Sequence, residues 1–497
     1  MFERITPEQA GIASYWVEKF ILALEKRGLA MHSTLLMKGR KIFSECYWAP
    51  FHKDLPHRMY SQTKSFVGIA VGLLEEDGLI RLDDPIHTYF PDKFERQLPE
   101  YLEKLTIRQM LTMQTAGTTP SWFRLEAEDR TALYFEQNKA DHPAGFLFHY
   151  DSPGSQVLCA LVERLSGKSL FDYLNERIFR HLDTFQTASI LKTKNDDSWG
   201  DSALLCTTRD IASFGRFLME GGVWDGKRLM NEAYIRAATS RQVDNNRTGF
   251  ASTFSSGYGY QIWMVPGGFA FNGMGAQLTL CLPAQDLIFS CTGDNQGYAS
   301  AKDLILSAFY EYIVENMGDP LPDSGTDSLT AVETGRQLMH LTGSTDSPFA
   351  EEISGRRYVC QENDMGIREF TLEFLPDGTG VFHYINAQGE KHLCFGMAKN
   401  VFGKFPQAGY SQLHGVAKGP EGFYYDCAAS AVWCEPRKLN LKVQIIDTYL
   451  GNFIATFSFR EDVATVRFAK TAEWFLMEYN GQLVAKSLPL GEDGRTK

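Results

Sequence analysis

A serine and a lysine stand three positions apart in the run Ser61-Gln62-Thr63-Lys64, at the start of a predicted helix. On a helix this spacing places both side chains on one face. A serine is a poor nucleophile until a base removes its proton, and a lysine whose pKa is lowered by burial is such a base. The helix N-terminus would add free N–H groups where an oxyanion forms. The tetrapeptide therefore indicates acyl transfer through Ser61, although an N-cap or helix-face serine gives the same pattern.

The same pattern occurs a second time, at Ser189-Ile190-Leu191-Lys192, without an amphipathic helix of small residues behind it. Chance supplies one or two such matches in a chain of this length, so the motif needs support from other segments. The sequence has no G-x-S-x-G elbow, no H-E-x-x-H, no P-loop and no G-x-G-x-x-G. Its 11 histidines are spread singly. Because these motifs are missing, we expect neither a metal site nor an organic cofactor.

Composition narrows the class of protein. The chain has 497 residues and a net charge of −12, which argues against a nucleic-acid or anionic-membrane partner. The N-terminus has no basic and apolar leader pattern. The nine cysteines are scattered without a C-x-x-C pair, and most have apolar neighbours. A reduced, cytoplasmic protein is therefore expected, and the length predicts two domains.

Hydrophobic spacing predicts the elements that must position the serine. A hairpin should turn at Lys38–Gly39, and the helix after Ser61 should stop near Gly78. Another helix should follow Tyr150, with Pro153 at its start and Gly167 beyond its end. The remaining predicted elements are helices at 15–27, 204–220 and 301–315, and strands within 258–292.

A Gly, Pro, Asp and Ser-rich stretch at 318–335 indicates a linker. The chain beyond it alternates apolar and polar residues, with a hairpin turning at Asp377–Gly378. We therefore predict two domains, residues 1–335 and residues 336–497, the second an antiparallel β domain resembling a small barrel.

Three blocks in order carry a family resemblance: YSQTKSFVGIAVGLLEEDGLIRLDDPIHTYFPD, LTIRQMLTMQTAG and SALLCTTRDIASFGRFLMEGG. Over about residues 5–315 the chain resembles the serine β-lactamase and penicillin-binding-protein superfamily, including the class C-related esterases and the 6-aminohexanoate-oligomer hydrolases. The resemblance implies an α+β fold of the β-lactamase/transpeptidase type, in which helices flank an antiparallel sheet and a helical subdomain is added. For residues 336–497 the resemblance to two-domain relatives implies a lipocalin-like accessory barrel. Its role is left open between covering the cleft, binding substrate and mediating a homodimer.

The family's second motif, Tyr-x-Asn, matches Tyr150-Asp151-Ser152. The resemblance makes Tyr150 a general base and proton shuttle beside Lys64. A tyrosine near a lysine ammonium is more readily ionised, which suits that role. Ser152 replaces the asparagine as a substrate contact, although a serine before a proline is also a good N-cap.

The third motif, Lys-Thr-Gly in β-lactamases, matches Phe271-Asn272-Gly273, followed by Met274. The resemblance implies that the N–H group of Met274 completes the oxyanion hole with that of Ser61, and a shifted frame makes Gly275 a candidate as well. The lysine that would hold a β-lactam carboxylate is missing, which disfavours β-lactamase activity. Just upstream, the aromatic residues of 258–263 either line the pocket or belong to the core.

These observations predict a hydrolase that cleaves a small ester or amide through an acyl-Ser61 intermediate, without a cofactor. The alternatives are a non-catalytic ligand-binding protein built on the same fold, and a β-lactamase or D-amino-acid peptidase. Retention of Ser61, Lys64 and Tyr150 together argues against the binding protein.

Overall fold

The computed structural model describes residues 2–119, 129–246, 252–318, 326–410 and 423–488. They form two compact units, with the boundary between Gln337 and Leu338. Within these ranges no helix is both long and apolar enough to cross a membrane. All nine cysteines are free thiols, and six of them are buried, as their apolar neighbours predict.

The helices of the first unit surround a central sheet. They are α1 Ser14–Lys26, α2 Thr63–Glu76, α3 Glu100–Glu103, α4 Ile107–Leu111, α5 Arg130–Gln137, α6 Ser152–Ser166, α7 Leu170–Arg177, α8 Thr208–Met219, α9 Glu232–Ala238, α10 Ala301–Ala308 and α11 Thr326–Thr334.

Seven strands of the first unit form one sheet in the order β1-β3-β2-β12-β11-β10-β9. All its neighbours are antiparallel except β1 and β3, which are parallel. The strands of this unit are β1 Glu3–Arg4, β2 Met31–Lys38, β3 Lys41–Tyr47, β4 His57–Arg58, β5 Ser189–Ile190, β6 Leu204–Cys206, β7 Val223–Trp224, β8 Lys227–Arg228, β9 Trp263–Val265, β10 Gly268–Gly273, β11 Gln277–Leu282 and β12 Leu287–Gly293.

The sheet is buried on both faces, because alternate residues of each strand enter two different cores. On β10, Phe271 packs in the core that contains α2 and α8. Its neighbour Ala270 packs in the core that contains α1 and α10. Strand β9 pairs only with residues 268–270 of β10, so the last residues of β10 lie beside the turn Tyr60–Gln62.

Most predicted elements are present, and three segments differ. Residues 204–206 form strand β6, because helix α8 begins after a capping box between Thr207 and Asp210. The helix predicted to end at 315 changes to π and 3-10 turns after Ala308. The predicted linker contains α11, whose Leu329 is buried against the core of the first unit. Residues 319–325 of the predicted linker lie outside the described part of the chain.

The second unit is a β-barrel with one short helix, α12 Phe349–Ile353. Its strands are β13 Tyr358–Cys360, β14 Glu369–Phe374, β15 Thr379–Asn386, β16 Gly389–Met397, β17 Val401–Lys404, β18 Asp426–Glu435, β19 Lys438–Ile446, β20 Leu450–Arg460, β21 Val463–Thr471 and β22 Gly481–Ser487. Nine strands close in the order β16-β15-β14-β13-β22-β21-β20-β19-β18, and β17 pairs beside them with β18. An odd number of strands cannot alternate all the way round, so β16 and β18 meet in parallel.

Aromatic rings fill the centre of this barrel. The rings of Phe382 and Tyr384 lie 4.5 Å apart, and those of Phe453 and Tyr479 lie 4.8 Å apart. The hydroxyls of Tyr384 and Tyr479 lie 2.7 Å apart, so one donates to the other in the interior. The predicted fold class, a β-lactamase-type α+β region followed by a β-barrel, is confirmed.

Candidate active site

Ser61 lies in a 3-10 turn, Tyr60–Gln62, that leads directly into α2. Tyr60 has a φ of +47°, an unfavourable value for a tyrosine. The turn is held by Thr63, whose hydroxyl donates to the carbonyl oxygen of Tyr60 at 2.6 Å and accepts from the N–H of Leu204 at 3.0 Å. These bonds fix the strained backbone immediately before Ser61.

Ser61 and Lys64 face each other as their spacing predicts. The Nζ atom of Lys64 lies 3.1 Å from Oγ of Ser61. The Lys64 side chain is 1% exposed, whereas Ser61 is only half-buried. A buried amine beside an accessible hydroxyl is the arrangement that proton transfer from a serine nucleophile requires.

Asp201 completes the surroundings of Lys64, and sequence analysis did not identify it. The Lys64 ammonium donates to the carbonyl oxygen of Asp201 at 2.6 Å and lies 3.9 Å from its Oδ2 atom. The carboxylate is 1% exposed, and its Oδ1 atom has no hydrogen-bond partner among the described residues. The only signal in the sequence is its position directly before the third family block, as one of several charged residues in that stretch, which is too weak to predict a contact with Lys64.

Tyr150 also lies close to Lys64. Its ring stacks on Trp263 of β9 with centroids 5.4 Å apart, and the Nζ atom of Lys64 lies 5.1 Å from the Tyr150 ring centroid. A cation near the face of an aromatic ring is attracted to it. The structure therefore brings Ser61, Lys64 and Tyr150 together.

The start of α6 differs from the N-cap interpretation of Ser152. Asp151 is the N-cap residue, and Ser152 is the first residue of the helix, half-buried next to Tyr150. Burial raises the pKa of Asp151 to about 6, against the opposing effect of a hydrogen bond from the Gly154 N–H group. A carboxyl that changes charge near neutral pH thus lies one residue from Tyr150.

Gln261 connects the helices around the site. Its backbone carbonyl accepts from Ser65 of α2 at 2.8 Å, and its side-chain oxygen accepts from Ser155 of α6 at 2.7 Å. Its amide group donates to the carbonyl oxygen of Met110 in α4 at 2.9 Å. One buried residue, through its backbone and its side chain together, thus couples the helix that carries Lys64 to the helix that follows Tyr150.

The residues of the third motif divide between the core and the site. Phe271 is fully buried and packs 5.7 Å from the ring of Phe214. Asn272 is 6% exposed, and its side-chain oxygen accepts a 2.6 Å hydrogen bond from the ammonium of Lys302 in α10. Lys302 is a second residue near the site that sequence analysis missed, because its contact is made by a distant helix.

Gly273 packs against the backbone just before the serine. A Cβ atom at this position would lie 2.3 Å from the carbonyl oxygen of Met59, so only glycine fits. The turn after it is held by buried Gln277, whose amide donates to the carbonyl oxygen of Met274 at 2.8 Å. Gly275 lies in the same turn with a φ of +76°. This places the backbone of Met274 beside the segment that carries Ser61.

The other candidate residues are placed elsewhere. Lys192 is 48% exposed and lies 3.9 Å from Asp196, so the second S-x-x-K pattern forms no buried pair. Tyr258 is fully buried and Tyr260 bonds Arg108 at 2.8 Å, as expected for core residues. Among the described residues no group of three or more His, Cys, Asp or Glu side chains could hold a metal ion.

Comparison with known families places these residues in context. The model of the family described as Beta-lactamase matches residues 23–304, which is more than half of the chain. The 6-aminohexanoate-dimer hydrolase of Paenarthrobacter ureafaciens is 27% identical over 252 residues, covering 47% of this chain and 64% of that protein. An uncharacterized protein of Alkalihalophilus pseudofirmus is 24% identical over 240 residues, covering 43% of this chain and 66% of that protein. The chain thus spans slightly less than two thirds of these curated relatives.

Solved structures show the same fold. A candidate 6-aminohexanoate-dimer hydrolase from Bacillus anthracis is similar with a TM-score of 0.50 and 19% identity, covering 59% of this chain and 79% of that one. A penicillin-binding-protein homologue from Caulobacter crescentus is similar with a TM-score of 0.50 and 16% identity, covering 61% of this chain and 99% of that one. Identities this low support a similarity of fold only.

Proposed function

Because this chain belongs to the beta-lactamase family of serine hydrolases, we propose that it cleaves a small ester or amide through an acyl-enzyme intermediate on Ser61. The observation that carries the proposal is the 3.1 Å separation between the Ser61 hydroxyl and the buried Lys64 amine. A serine held against a desolvated amine can lose its proton as it attacks a carbonyl carbon.

In the proposed acylation step, Oγ of Ser61 attacks the carbonyl carbon and its proton passes to Lys64 and Tyr150. Tyr150 then protonates the leaving group. The N–H groups of Ser61 and Met274 stabilise the tetrahedral oxyanion. The close fit of Gly273 against Met59 supports this assignment, because it holds the two backbone segments together. In the second half of the reaction water attacks the acyl carbon, and the same residues accept a proton from this water. They pass the proton to Oγ of Ser61 as the acyl–Oγ bond breaks and the acid is released.

The substrate class rests on the relatives. A protein named as a hydrolase of 6-aminohexanoate dimer shares 27% identity over 252 residues with this chain, which supports a short linear amide or ester as substrate. The third motif lacks the strand lysine of β-lactamases, since Phe271 packs in the core and Asn272 is neutral. This absence argues against hydrolysis of β-lactams as the main activity.

We also propose that residues 1–335 form the hydrolase domain and residues 336–497 an accessory domain. The division of the described residues between Gln337 and Leu338 supports this organisation.

The test is hydrolysis of p-nitrophenyl acetate and butyrate by wild type and Ser61→Ala, with nitrocefin alongside. Ser189→Ala is the matched control, because Ser189 begins the second S-x-x-K pattern. We expect Ser61→Ala to lose ester hydrolysis and fluorophosphonate labelling, Ser189→Ala to keep both, and nitrocefin to turn over slowly. Ester hydrolysis that survives in Ser61→Ala would overturn the mechanism. A wild type that neither turns over nor labels would favour a non-catalytic binding protein.

A further inference from the structure

Lys302 places a positive charge beside the strand that borders the site. It stands in the first turn of α10, half-buried, and its ammonium donates to the side-chain oxygen of Asn272 at 2.6 Å. Asn272 is a neutral partner, and in the described ranges no carboxylate lies within ion-pair distance of this lysine. Burial lowers the pKa of Lys302 to about 8, and the titratable group that faces it is the thiol of Cys291.

The half-buried ammonium of Lys302 has no counter-ion among the described residues, although the protein has a net charge of −12. Several other partly buried cations of the first unit are paired, for example Arg209 with Glu45 at 2.6 Å and Lys93 with Asp129 at 2.6 Å. Two N–H groups of Lys302 are left after the bond to Asn272. They are suited to an anionic group brought by a ligand.

The position of Lys302 connects it to the candidate active site. Asn272 directly precedes Gly273, so their Cα atoms lie about 3.8 Å apart. A Cβ atom at Gly273 would lie 2.3 Å from the carbonyl oxygen of Met59, two residues before Ser61. Asn272 also shares a sheet face with Ala270. Ala270 pairs with Trp263, whose ring stacks on Tyr150. An acyl group on Ser61 therefore passes close to the Lys302 ammonium if it runs along the edge of β10.

We propose that Lys302, together with Asn272, binds a carboxylate of the substrate. The substrate is then a short linear ester or amide whose acyl part carries a carboxylate a few bonds from the scissile carbonyl. This inference rests on the proposed function and goes beyond it, since it names the charge of the substrate and the residue that selects it. A carboxylate bound by a charged hydrogen bond in a partly desolvated site gains more affinity than one bound in water.

The test compares two esters of equal length, mono-p-nitrophenyl adipate and its neutral methyl ester. Wild type is expected to have the lower KM for the carboxylated ester. Lys302→Met, which keeps the length but removes the charge, should raise that KM about tenfold or more and change the KM of the methyl ester far less. Lys302→Arg should retain the preference. Lys104→Met is the control for a general loss of positive charge, because Lys104 lies between α3 and α4 and its side chain is 70% exposed.

A second measurement uses the unmodified protein, so it does not depend on the folding of a variant. The preference for the carboxylated ester should decrease as pH rises through about 8, because Lys302 then loses its charge. Burial raises the pKa of the facing Cys291 thiol to about 12, so this thiol stays neutral in the same range. A Ser61-dependent hydrolysis without preference for the carboxylated ester would overturn the role of Lys302 and leave the proposed function standing. Hydrolysis independent of Ser61 would overturn both.

Discussion

The buried ammonium of Lys64 donates to the carbonyl oxygen of Asp201 at 2.6 Å and lies 3.9 Å from a carboxylate oxygen of the same residue. One residue therefore offers Lys64 both a fixed backbone acceptor and a negative charge. The carbonyl sets the position of the amine, and the carboxylate places a negative charge near it.

Asp201→Asn separates these two effects, because it keeps the backbone carbonyl and removes the charge. Without the carboxylate, the buried amine loses the negative charge that lies 3.9 Å from it, so the charged state formed when it takes the Ser61 proton is less well stabilised. We expect kcat/KM for ester hydrolysis to decrease about tenfold or more. Asp196→Asn, at a side chain that is 74% exposed, is the matched control. An unchanged kcat/KM in Asp201→Asn would show that the charge of Asp201 does not act on catalysis.

Tyr150→Phe tests proton transfer by the hydroxyl alone. The phenyl ring can keep its stacking on Trp263 and its position near Lys64, so the variant should fold normally. Loss of a general acid–base group is expected to lower kcat by about 10²–10⁴-fold, with little change in KM or in the melting temperature. If the melting temperature fell together with kcat, the result would instead assign Tyr150 a packing role.

Gly273→Ala should disturb the site through the backbone. The new Cβ atom would lie 2.3 Å from the carbonyl oxygen of Met59, which must then move together with the turn that carries Ser61. We expect a loss of about 1–3 kcal/mol in the free energy of unfolding and a large decrease in kcat. Gly403→Ala in β17 is the control, because a Cβ atom there meets no atom within 4 Å. Wild-type activity in Gly273→Ala would contradict the close packing.

The raised pKa of Asp151 predicts that the free energy of unfolding depends on pH. Its carboxyl has a pKa of about 6 in the folded chain, against an ordinary value of 3.8, because burial disfavours the charged form. Above pH 6 the ionised carboxylate therefore lowers the free energy of unfolding. Between about 6 and 4 the folded chain binds more protons than the unfolded one, and this destabilisation disappears as pH falls.

Asp151→Asn should accordingly raise the free energy of unfolding at pH 7.5, by at most about 3 kcal/mol, and have little effect at pH 4. Denaturant titrations at both pH values measure the change. Asp92→Asn is the opposite control, because a hydrogen bond from Arg164 lowers the pKa of Asp92 to about 2. Asp92 is exposed, and Asp92→Asn should be less stable than wild type at pH 7.5. A gain of equal size at both pH values would mean that the charge of Asp151 is not the cause.

The sequence predicts those parts of the site that depend on local spacing. Ser61 and Lys64 meet because three residues make nearly one helical turn, and α6 ends at Gly167 because glycine readily adopts the left-handed conformation there. The barrel follows from alternation of apolar residues along successive strands.

The parts that sequence analysis missed depend on contacts between distant segments. Asp201 reaches Lys64 across 137 residues of chain, and Lys302 reaches Asn272 across 30. No local periodicity encodes such contacts. The helix α11 was mistaken for a linker because Leu329 and Val332 are its only large apolar residues. Its stability comes from burial against the first unit rather than from its own propensity.

The aromatic interior of the barrel limits how the second unit can act. A hollow barrel carries a guest molecule inside, whereas this one is solid at its centre, with Phe382, Phe453 and Phe457 at most 1% exposed. Any recognition by the described part of this unit must therefore use outward-facing side chains. Its exposed apolar residues are the first positions to mutate, namely Val359, Leu375, Phe402, Tyr424, Ile454 and Met477.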